Sequence, residues 1–319
     1  GILSMKVLIL GITGFAGTTT YKMLREMGSI NINGTYRHST SNTSRIALYE
    51  KASLYECDIN NVLSIESVLE EVRPDIIFYF CAYVSVFSSI KNPSSTYQTN
   101  VLGAINLLES VKKISPDSKV LMPGSAEQYG FVTEKNMPIK ESYSLNPQNP
   151  YAMTKKNQEE IGLFYFRQFG LNLYFTRTFH CTGPYQSAGF VCSDIARQVV
   201  ALEEGKASSI KIGNLEAKRD FLDMRDITDA YWKILIKGKP GEIYNVCRGE
   251  SLKIQSILDK LIDFSGKDIA IEVDPAKLRK SDVPDFIGDN QKLIEIGWTP
   301  KYKMDQTLLD LLNSLRQNG

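Results

Sequence analysis

The chain has 319 residues, of which 43% are hydrophobic, so it can bury the core of one large domain or of two closely joined domains. Its formal net charge of +1 leaves no broad basic field for nucleic acid or for an anionic membrane. No apolar run approaches the roughly 20 residues that span a bilayer, and no signal-peptide pattern opens the sequence. We therefore expect a cytoplasmic protein that binds neither nucleic acid nor a membrane.

Strand and helix signals alternate through the first two-thirds of the chain. The alternation predicts an α/β fold with a doubly wound parallel sheet of the Rossmann type and helices on both faces. Apolar, β-prone runs predict strands near 6–10, 31–36, 53–57, 75–81, 119–123 and 171–178. Helical patterns lie between them near 15–27, 64–72, 96–114 and 151–169.

After about residue 180 the segments become shorter, with frequent glycine and proline. We interpret 5–180 as a nucleotide-binding domain and 181–319 mainly as a smaller C-terminal α/β substrate lobe, with later segments threading back into the first domain. A long loop at 129–150 is a candidate cover for the site. In this part, helices are predicted near 190–204, 226–237, 253–264 and 304–316, and strands near 209–212 and 242–246.

The cysteines and histidines indicate the redox state of the compartment and whether a metal site is expected. The five cysteines are odd in number and none forms a C-x-x-C pair, so we interpret them as buried thiols in a reducing compartment. The two histidines are too few for a histidine-rich metal site, and we expect no metal.

The first predicted strand runs into a glycine-rich turn, Gly11-Ile-Thr-Gly14-Phe-Ala-Gly17, and then into a helix. In that context such a turn places a dinucleotide pyrophosphate on the helix N-terminus. Gly11 would make the tight turn, Gly14 would let the backbone approach the phosphates, and Gly17 would let helix and strand pack closely. A glycine turn without a ligand is the alternative, which the flanking strand and helix make the weaker one.

Tyr151 and Lys155 stand four residues apart, so they lie one turn from each other on one face of a helix. An ammonium so placed favours the phenolate and lowers the pKa of the tyrosine toward neutrality, which allows proton exchange with a carbonyl or hydroxyl. Ser125 would supply a second hydrogen bond to that oxygen. Y-x-x-x-K alone is common on ordinary helix surfaces, and the glycine-rich turn is what favours the catalytic interpretation.

The end of the second predicted strand indicates which nicotinamide cofactor is used. NAD-binding folds of this kind place an acidic residue there, but this strand ends Gly34-Thr-Tyr-Arg37 with no acid in reach. Arg37 would instead meet a 2′-phosphate through bidentate hydrogen bonds. A solvated loop arginine is the alternative. NADP(H) is therefore favoured over NAD(H).

These motifs together resemble the short-chain dehydrogenase/reductase superfamily. The chain length and Asn100-Val-x-Gly103 resemble its extended branch, the NAD-dependent epimerase/dehydratase family. The segments 177–184, 212–226 and 278–284 look like GDP-4-keto-6-deoxy-D-mannose reductases, which form GDP-D-rhamnose. The resemblance covers essentially the whole chain, and the stretch from Gly213 to Phe221 is its most specific part.

The resemblance implies NADPH-dependent reduction of the C4 ketone of a GDP-linked 4-keto-6-deoxy sugar to GDP-D-rhamnose or a relative. Tyr151 would protonate the forming alkoxide, Ser125 would hold the same oxygen, and Lys155 would also grip the nicotinamide ribose. The alternative is a GDP-mannose 4,6-dehydratase or a C4 epimerase, with Glu127 as the base that removes a C5 proton. Ala126, however, stands where dehydratases carry an acid. A non-catalytic NADP-binding redox sensor is a third possibility, which the intact catalytic set disfavours.

The family also implies which residues contact the two ligands. The cofactor-binding set is Gly11, Thr13, Gly14, Phe15, Ala16, Gly17, Arg37, Asp58, Ile59, Cys81, Ala82, Tyr83, Asn100, Tyr151, Lys155 and Thr178. The substrate-binding set is His180, Lys211, Asn214, Arg219 and Arg279, with the two arginines as diphosphate ligands. As isolated residues, either arginine would more often belong to a surface ion pair. His180 replaces an asparagine typical of the reductases, and a packed histidine bonded to a backbone carbonyl is the alternative to substrate contact.

Members of the superfamily dimerise through two helices of each subunit. The resemblance therefore implies a homodimer with a four-helix interface, formed by the helices near 96–114 and 151–169 of each subunit.

Overall fold

The computed structural model of the protein describes residues 3–37, 43–82, 85–278 and 283–317. Within them, seven parallel strands form a central sheet in the order β11-β6-β5-β4-β1-β2-β3. The strands are β1 (Met5–Leu10), β2 (Ile30–Tyr36), β3 (Ala52–Glu56), β4 (Ile76–Tyr79), β5 (Lys119–Ser125), β6 (Asn172–Thr178), β7 (His180–Thr182), β8 (Ser209–Ile212), β9 (Lys218–Arg219), β10 (Phe221–Asp223), β11 (Ile243–Val246), β12 (Leu252–Lys253) and β13 (Ala270–Val273).

Helices cover both faces of this sheet, as the doubly wound prediction requires. A π-helical turn, Gln98–Leu102, joins α4 to α5, so the helix predicted near 96–114 is three consecutive segments. The helices are α1 (Phe15–Met27), α2 (Val62–Val72), α3 (Val86–Lys91), α4 (Pro93–Tyr97), α5 (Gly103–Ile114), α6 (Pro150–Phe169), α7 (Val191–Glu203), α8 (Met224–Lys237), α9 (Ile254–Ser265), α10 (Gln291–Glu295) and α11 (Met304–Arg316). The predicted Rossmann-type fold is confirmed.

The buried part of the first strand is an unbroken apolar run, and the packing of the sheet explains why. Val7 and Ile9 pack with α1 and α8 on one face, while Leu8 and Leu10 pack with α2 and α5 on the other. Successive side chains of a strand point to opposite faces, and both faces of this parallel sheet are covered by helices. The buried positions of β1, from Val7 to Leu10, are therefore all apolar.

A separate core forms the smaller lobe. It is built from α7, α9, α11 and β8, with Val199, Leu258 and Leu311 fully buried at its centre. Two later elements leave this lobe: α8 packs on the main sheet, and β11 pairs with β6 at its edge. These contacts agree with later segments threading back into the first domain, and the domain division at 180/181 stays a prediction.

The start of α2 differs from the expected position near residue 64. Asn61 is the N-cap, and its side-chain oxygen accepts the N–H groups of Leu63 and Ser64 at 3.1 and 3.4 Å. A capping asparagine satisfies N–H groups that have no partner inside the helix. The helix therefore begins at Val62, two residues earlier than expected.

A buried ion pair joins β6 to α6. Nε and Nη2 of Arg177 donate to the two carboxylate oxygens of Glu159, each at 2.9 Å, and both side chains are about 5% exposed. Nη1 of Arg177 also donates to Tyr129 Oη at 3.1 Å. Since the guanidinium and the carboxylate are both hydrogen-bonded, their burial is compensated.

We expect Arg177→Met to lower the free energy of unfolding by about 3–5 kcal/mol, because it leaves the carboxylate of Glu159 buried without its partner. Urea denaturation followed by circular dichroism measures this change. The control is Lys206→Met, which breaks the exposed pair of Lys206 with Glu204 and should change stability by less than about 1 kcal/mol. Equal effects of the two substitutions would contradict a structural role for the buried pair.

Candidate active site

A cavity of about 1720 Å³ opens at the carboxyl ends of the central strands, between the main sheet and the smaller lobe. Its walls come from the turn after β1, the ends of β5 and β6, the first turns of α6, and the smaller lobe. Ligands of open α/β sheets bind at this edge, outside the carboxyl ends of the strands. The volume exceeds that of a typical small-molecule pocket, so the cavity has room for two ligands side by side.

The glycine-rich turn forms one wall of this cavity. Gly11 has a φ of +85°, which glycine tolerates and other residues rarely adopt. A Cβ on Gly17 would lie 2.2 Å from the carbonyl oxygen of Gly11, so only glycine lets α1 start this close to β1. Five residues of the turn and the helix start line the cavity: Thr13, Gly14, Phe15, Ala16 and Gly17.

Ser125, Tyr151 and Lys155 meet in the opposite wall of the cavity. Ser125 ends β5, and the other two lie on α6, all three less than 10% exposed. The hydroxyl of Ser125 is close to the phenol of Tyr151 and acts to lower its pKa. The ammonium of Lys155 donates to the carbonyl oxygen of Pro123 at 3.0 Å. The structure therefore brings the predicted catalytic set together.

The protonation of this set differs from the expectation. Burial raises the pKa of Tyr151 above its ordinary value; Ser125 opposes the rise, and Glu127 adds to it. Burial also lowers the pKa of Lys155 to about 8. The expected lowering of the tyrosine pKa by Lys155 does not appear in this structure, in which burial dominates at Tyr151 and the ammonium donates to a backbone carbonyl. A phenol held protonated in this way suits a proton donor.

The loop at 129–150 does not cover the site. Residues 130–149 do not line the cavity. The loop packs instead beneath it: Ile139 is fully buried beside Phe179 and Phe286, and its N–H donates to the carbonyl oxygen of Ile287. The prediction was wrong because prolines mark a loop without indicating its path. The segment from Pro184 to Phe190 lines the cavity in its place.

Glu127 lies in the cavity wall beside Ser125, and Ala126 is next to it. Nδ2 of Asn149, the N-cap of α6, donates to Oε2 of Glu127 at 3.4 Å. The carboxylate is thus present where a base would stand, and its neighbour in the chain carries no acid.

Several predicted cofactor residues stand away from the cavity lining. Arg37 and Asp58 form an ion pair of 3.7 Å at the end of β2 and β3, each about 40% exposed. Asn100 is fully buried, and its amide donates to Thr154 Oγ1 on α6 at 3.0 Å. Ala82 and Thr178 do line the cavity. Gly11, Arg37, Asp58, Ile59, Cys81 and Asn100 do not line it, and Tyr83 lies outside the described residues.

The predicted substrate residues line the half of the cavity that faces the smaller lobe. They are His180, Lys211, Asn214 and Arg219. The ring of His180 contacts Phe221 edge-on, with 5.7 Å between the centroids. Nη1 of Arg219 donates to the carbonyl oxygens of Lys218 and Val283, each at 2.7 Å. Arg279 lies outside the described residues.

Sequence reasoning missed residues that reach the site from distant elements. The hydroxyl of Ser89 on α3 accepts the backbone N–H of Tyr151 at 3.1 Å. Tyr231 on α8 lines the cavity, and its hydroxyl hydrogen-bonds Thr178 Oγ1 at 2.5 Å. Neither residue belongs to a local motif, so the sequence carried no signal for them.

Across residues 3–37, 43–82, 85–278 and 283–317, no three His, Cys, Asp or Glu side chains form a group that could hold a metal ion. Within the same ranges, no helix has the length and apolarity needed to cross a membrane.

Residues 8–311 match the family model described as GDP-mannose 4,6 dehydratase. The chain is 32% identical over 242 residues to the GDP-6-deoxy-D-mannose reductase of Pseudomonas aeruginosa, covering 75% of this chain and 80% of the relative. It is 29% identical over 293 residues to the GDP-6-deoxy-D-talose 4-dehydrogenase of Aggregatibacter actinomycetemcomitans, covering 92% and 91%.

A solved structure, RMD from Pseudomonas aeruginosa in complex with NADPH, superposes with a TM-score of 0.86 at 26% identity, covering 99% of this chain and 100% of that one. The family match spans nearly the whole chain, and the fold agrees with it. The protein therefore belongs to the GDP-mannose 4,6 dehydratase family and has the fold of the extended short-chain dehydrogenases/reductases.

Proposed function

We propose that this protein reduces the C4 ketone of a GDP-linked 4-keto-6-deoxy sugar with NADPH, giving GDP-D-rhamnose or a close relative. The observation that carries the proposal is the grouping of Ser125, Tyr151 and Lys155 in a cavity that the glycine-rich turn also lines. The Pseudomonas aeruginosa relative, a GDP-6-deoxy-D-mannose reductase, supports the choice of substrate.

The turn fits a dinucleotide because its glycines leave room for one. Gly14 lines the cavity without a side chain at the N-cap of α1, and the first N–H groups of that helix would hold a pyrophosphate. When bound, NADPH supplies the hydride for C4. Lys155, whose ammonium stands in the same wall as Tyr151, would hold the nicotinamide ribose.

Tyr151 and Ser125 then act on the sugar oxygen. The phenol donates its proton to the C4 oxygen as that oxygen gains charge, and the serine hydroxyl holds the same oxygen by a hydrogen bond. On the other side of the cavity, Arg219 would bind the diphosphate, since a guanidinium offers several planar donors to anionic oxygens. Binding at that end positions the ketone.

A 4,6-dehydratase or a C4 epimerase is the alternative, and Glu127 in the cavity wall is the observation that favours it. A dehydratase must also protonate a leaving hydroxyl, which calls for an acid next to the base. Ala126 occupies that neighbouring position and is apolar. The reductase therefore remains the better-supported reaction.

We propose NADP(H) over NAD(H) because of the charge at the end of β2. Arg37 is about 40% exposed and reaches Asp58 at 3.7 Å, so its guanidinium stands at the edge where the adenosine end of a dinucleotide would lie. A long, half-exposed ion pair of this kind is weak and can yield to a 2′-phosphate. The NADPH complex of the structural relative supports this preference.

The proposal also covers the oligomeric state of the protein and its location in the cell. Leu102, Met153 and Phe164 are 55%, 40% and 54% exposed on the helical segments predicted to form a dimer. Exposed apolar side chains on adjacent helices suit burial against a second copy of the chain. We propose a cytoplasmic homodimer, with 5–180 as the cofactor domain and 181–319 as the substrate lobe.

The stoichiometry of the reaction tests the proposed function. Purified protein should consume one NADPH for each molecule of GDP-4-keto-6-deoxy-D-mannose reduced, measured by absorbance loss and product chromatography. It should leave GDP-mannose unchanged, because Ala126 provides no second acid beside Ser125. Conversion of GDP-mannose without added NADPH would establish the dehydratase instead, and a panel of dTDP-, UDP- and CDP-linked 4-keto sugars tests the nucleotide.

Tyr151→Phe should lower kcat by about 10²–10⁴-fold, because the proton donor is lost while the ring remains. The dissociation constant of NADPH, measured by fluorescence, should stay within about twofold. The control is Tyr165→Phe, since Tyr165 is buried on the same helix away from the cavity. If Tyr151→Phe keeps most of its activity, another group donates the proton.

Arg37→Glu should weaken NADPH binding by about 1.5–3 kcal/mol more than NADH binding, the scale of a charge-assisted hydrogen bond. Titration of the two cofactors against wild type and variant measures the difference. Lys206→Glu makes the same charge change in the smaller lobe and should leave the ratio unaltered. An unchanged ratio in Arg37→Glu would mean that this arginine does not contact the 2′-phosphate.

A further inference from the structure

Gln128 is fully buried next to Ser125 and does not line the cavity. Its Oε1 accepts the backbone N–H of Ser125 at 2.9 Å, and its Nε2 donates to Oε1 of Glu159 at 3.2 Å. Glu159 is itself held by Arg177 through two hydrogen bonds. One amide therefore connects the backbone of a reactive residue to the ion pair between α6 and β6.

The strand beside this amide is shaped to receive it. A Cβ on Gly124 would lie 2.4 Å from Oε1 of Gln128 and 2.4 Å from the carbonyl oxygen of Thr176. Real Cβ atoms do not approach oxygen so closely, so a side chain at position 124 would push the amide away from β5. Gly124 and Gln128 thus depend on each other, and together they fix the end of the strand that carries Ser125.

The hydroxyl of Ser125 has one proton and two lone pairs. Its Oγ accepts the N–H of Glu127 at 3.1 Å, and Gln128 closes the same turn from the other side as a capping box. After this one accepted bond, the proton and one lone pair of the hydroxyl remain available, and both Ser125 and Tyr151 line the cavity. Because the hydroxyl also faces the phenol of Tyr151, that proton is directed into the cavity.

We propose that Gln128 is a positioning residue for the reduction: by holding the backbone of Ser125, it keeps the serine hydroxyl aimed as a donor at the oxygen that Tyr151 protonates. The inference rests on the proposed function for the identity of that oxygen. The buried pair of Glu159 and Arg177 holds the Nε2 group of Gln128. The orientation of the Ser125 hydroxyl therefore depends on how α6 packs on the sheet.

Gln128→Met removes both hydrogen bonds with little change in volume. We expect kcat to fall by about tenfold or more, while KM and the dissociation constant of NADPH stay within about twofold, because a small displacement of a reacting group affects mainly the chemical step. Rates are expressed per folded site, counted by NADPH-binding stoichiometry. With NADPH deuterated at the transferred position, the isotope effect on kcat should rise in the variant.

A double-mutant cycle separates positioning from general destabilisation. If Gln128 acts through the hydroxyl of Ser125, adding Gln128→Met to Ser125→Ala should lower kcat by less than about twofold further. Asn33→Val is the matched control, since it deletes a buried amide that donates to Val7 in the same sheet. It should reduce stability without altering kcat per folded site. Multiplicative losses in the double variant would overturn the proposal.

The wild type distinguishes a failure of this inference from a failure of the proposed function. Absence of ketone reduction by the wild type would refute the function. Normal wild-type reduction with an unchanged kcat in Gln128→Met would refute only the positioning role.

Gln128→Glu carries the test if Gln128→Met does not fold. A protonated glutamic acid offers the same acceptor to Ser125 and the same donor to Glu159, with Arg177 nearby. At pH about 6 burial and the neighbouring carboxylate should keep it protonated, and kcat should stay within about threefold of wild type. A tenfold loss at that pH would contradict the proposal.

Discussion

The contact between Arg177 and Glu159 joins the two elements on which the reactive groups stand. Glu159 lies one turn beyond Lys155 on α6, and Arg177 directly precedes Thr178 at the cavity end of β6. Two parallel hydrogen bonds fix the planes of both groups, and neither can move without leaving the other charged and buried. The helix and the strand therefore cannot shift independently, and the wall that holds Tyr151 behaves as one rigid unit.

Burial of that wall decides which protonation states are available before any ligand arrives. The phenolate of Tyr151 is disfavoured by its surroundings, and so is the ammonium of Lys155, whose pKa falls to about 8. Both effects favour the neutral form of the side chain: Tyr151 keeps its proton, and Lys155 loses its proton more readily. Ketone reduction consumes a proton, which the phenol of Tyr151 can supply.

Local spacing predicted the parts of the site that share one element. The four-residue spacing of Tyr151 and Lys155 predicted a common helix face. Gly17 predicted a close approach of α1 to β1, and the structure has no space for a side chain there. The same spacing could not show where the lysine side chain reaches, so its hydrogen bond to the carbonyl oxygen of Pro123 was missed. Gln128 was missed for a related reason, since its partners lie on other elements that only tertiary packing brings near.

The segment Arg219-Asp220-Phe221 shows how one short stretch can serve the cavity and the fold at once. Side chains alternate along extended chain, and here Arg219 and Phe221 line the cavity while Asp220 is fully buried away from it. The carboxylate of Asp220 accepts the N–H groups of Arg248, Gly249 and Gly288. Two of these bonds tie the loop after β11, and the third ties the segment before α10, to the region that presents Arg219. The middle residue of this tripeptide therefore fixes the backbone, while its two neighbours face the cavity.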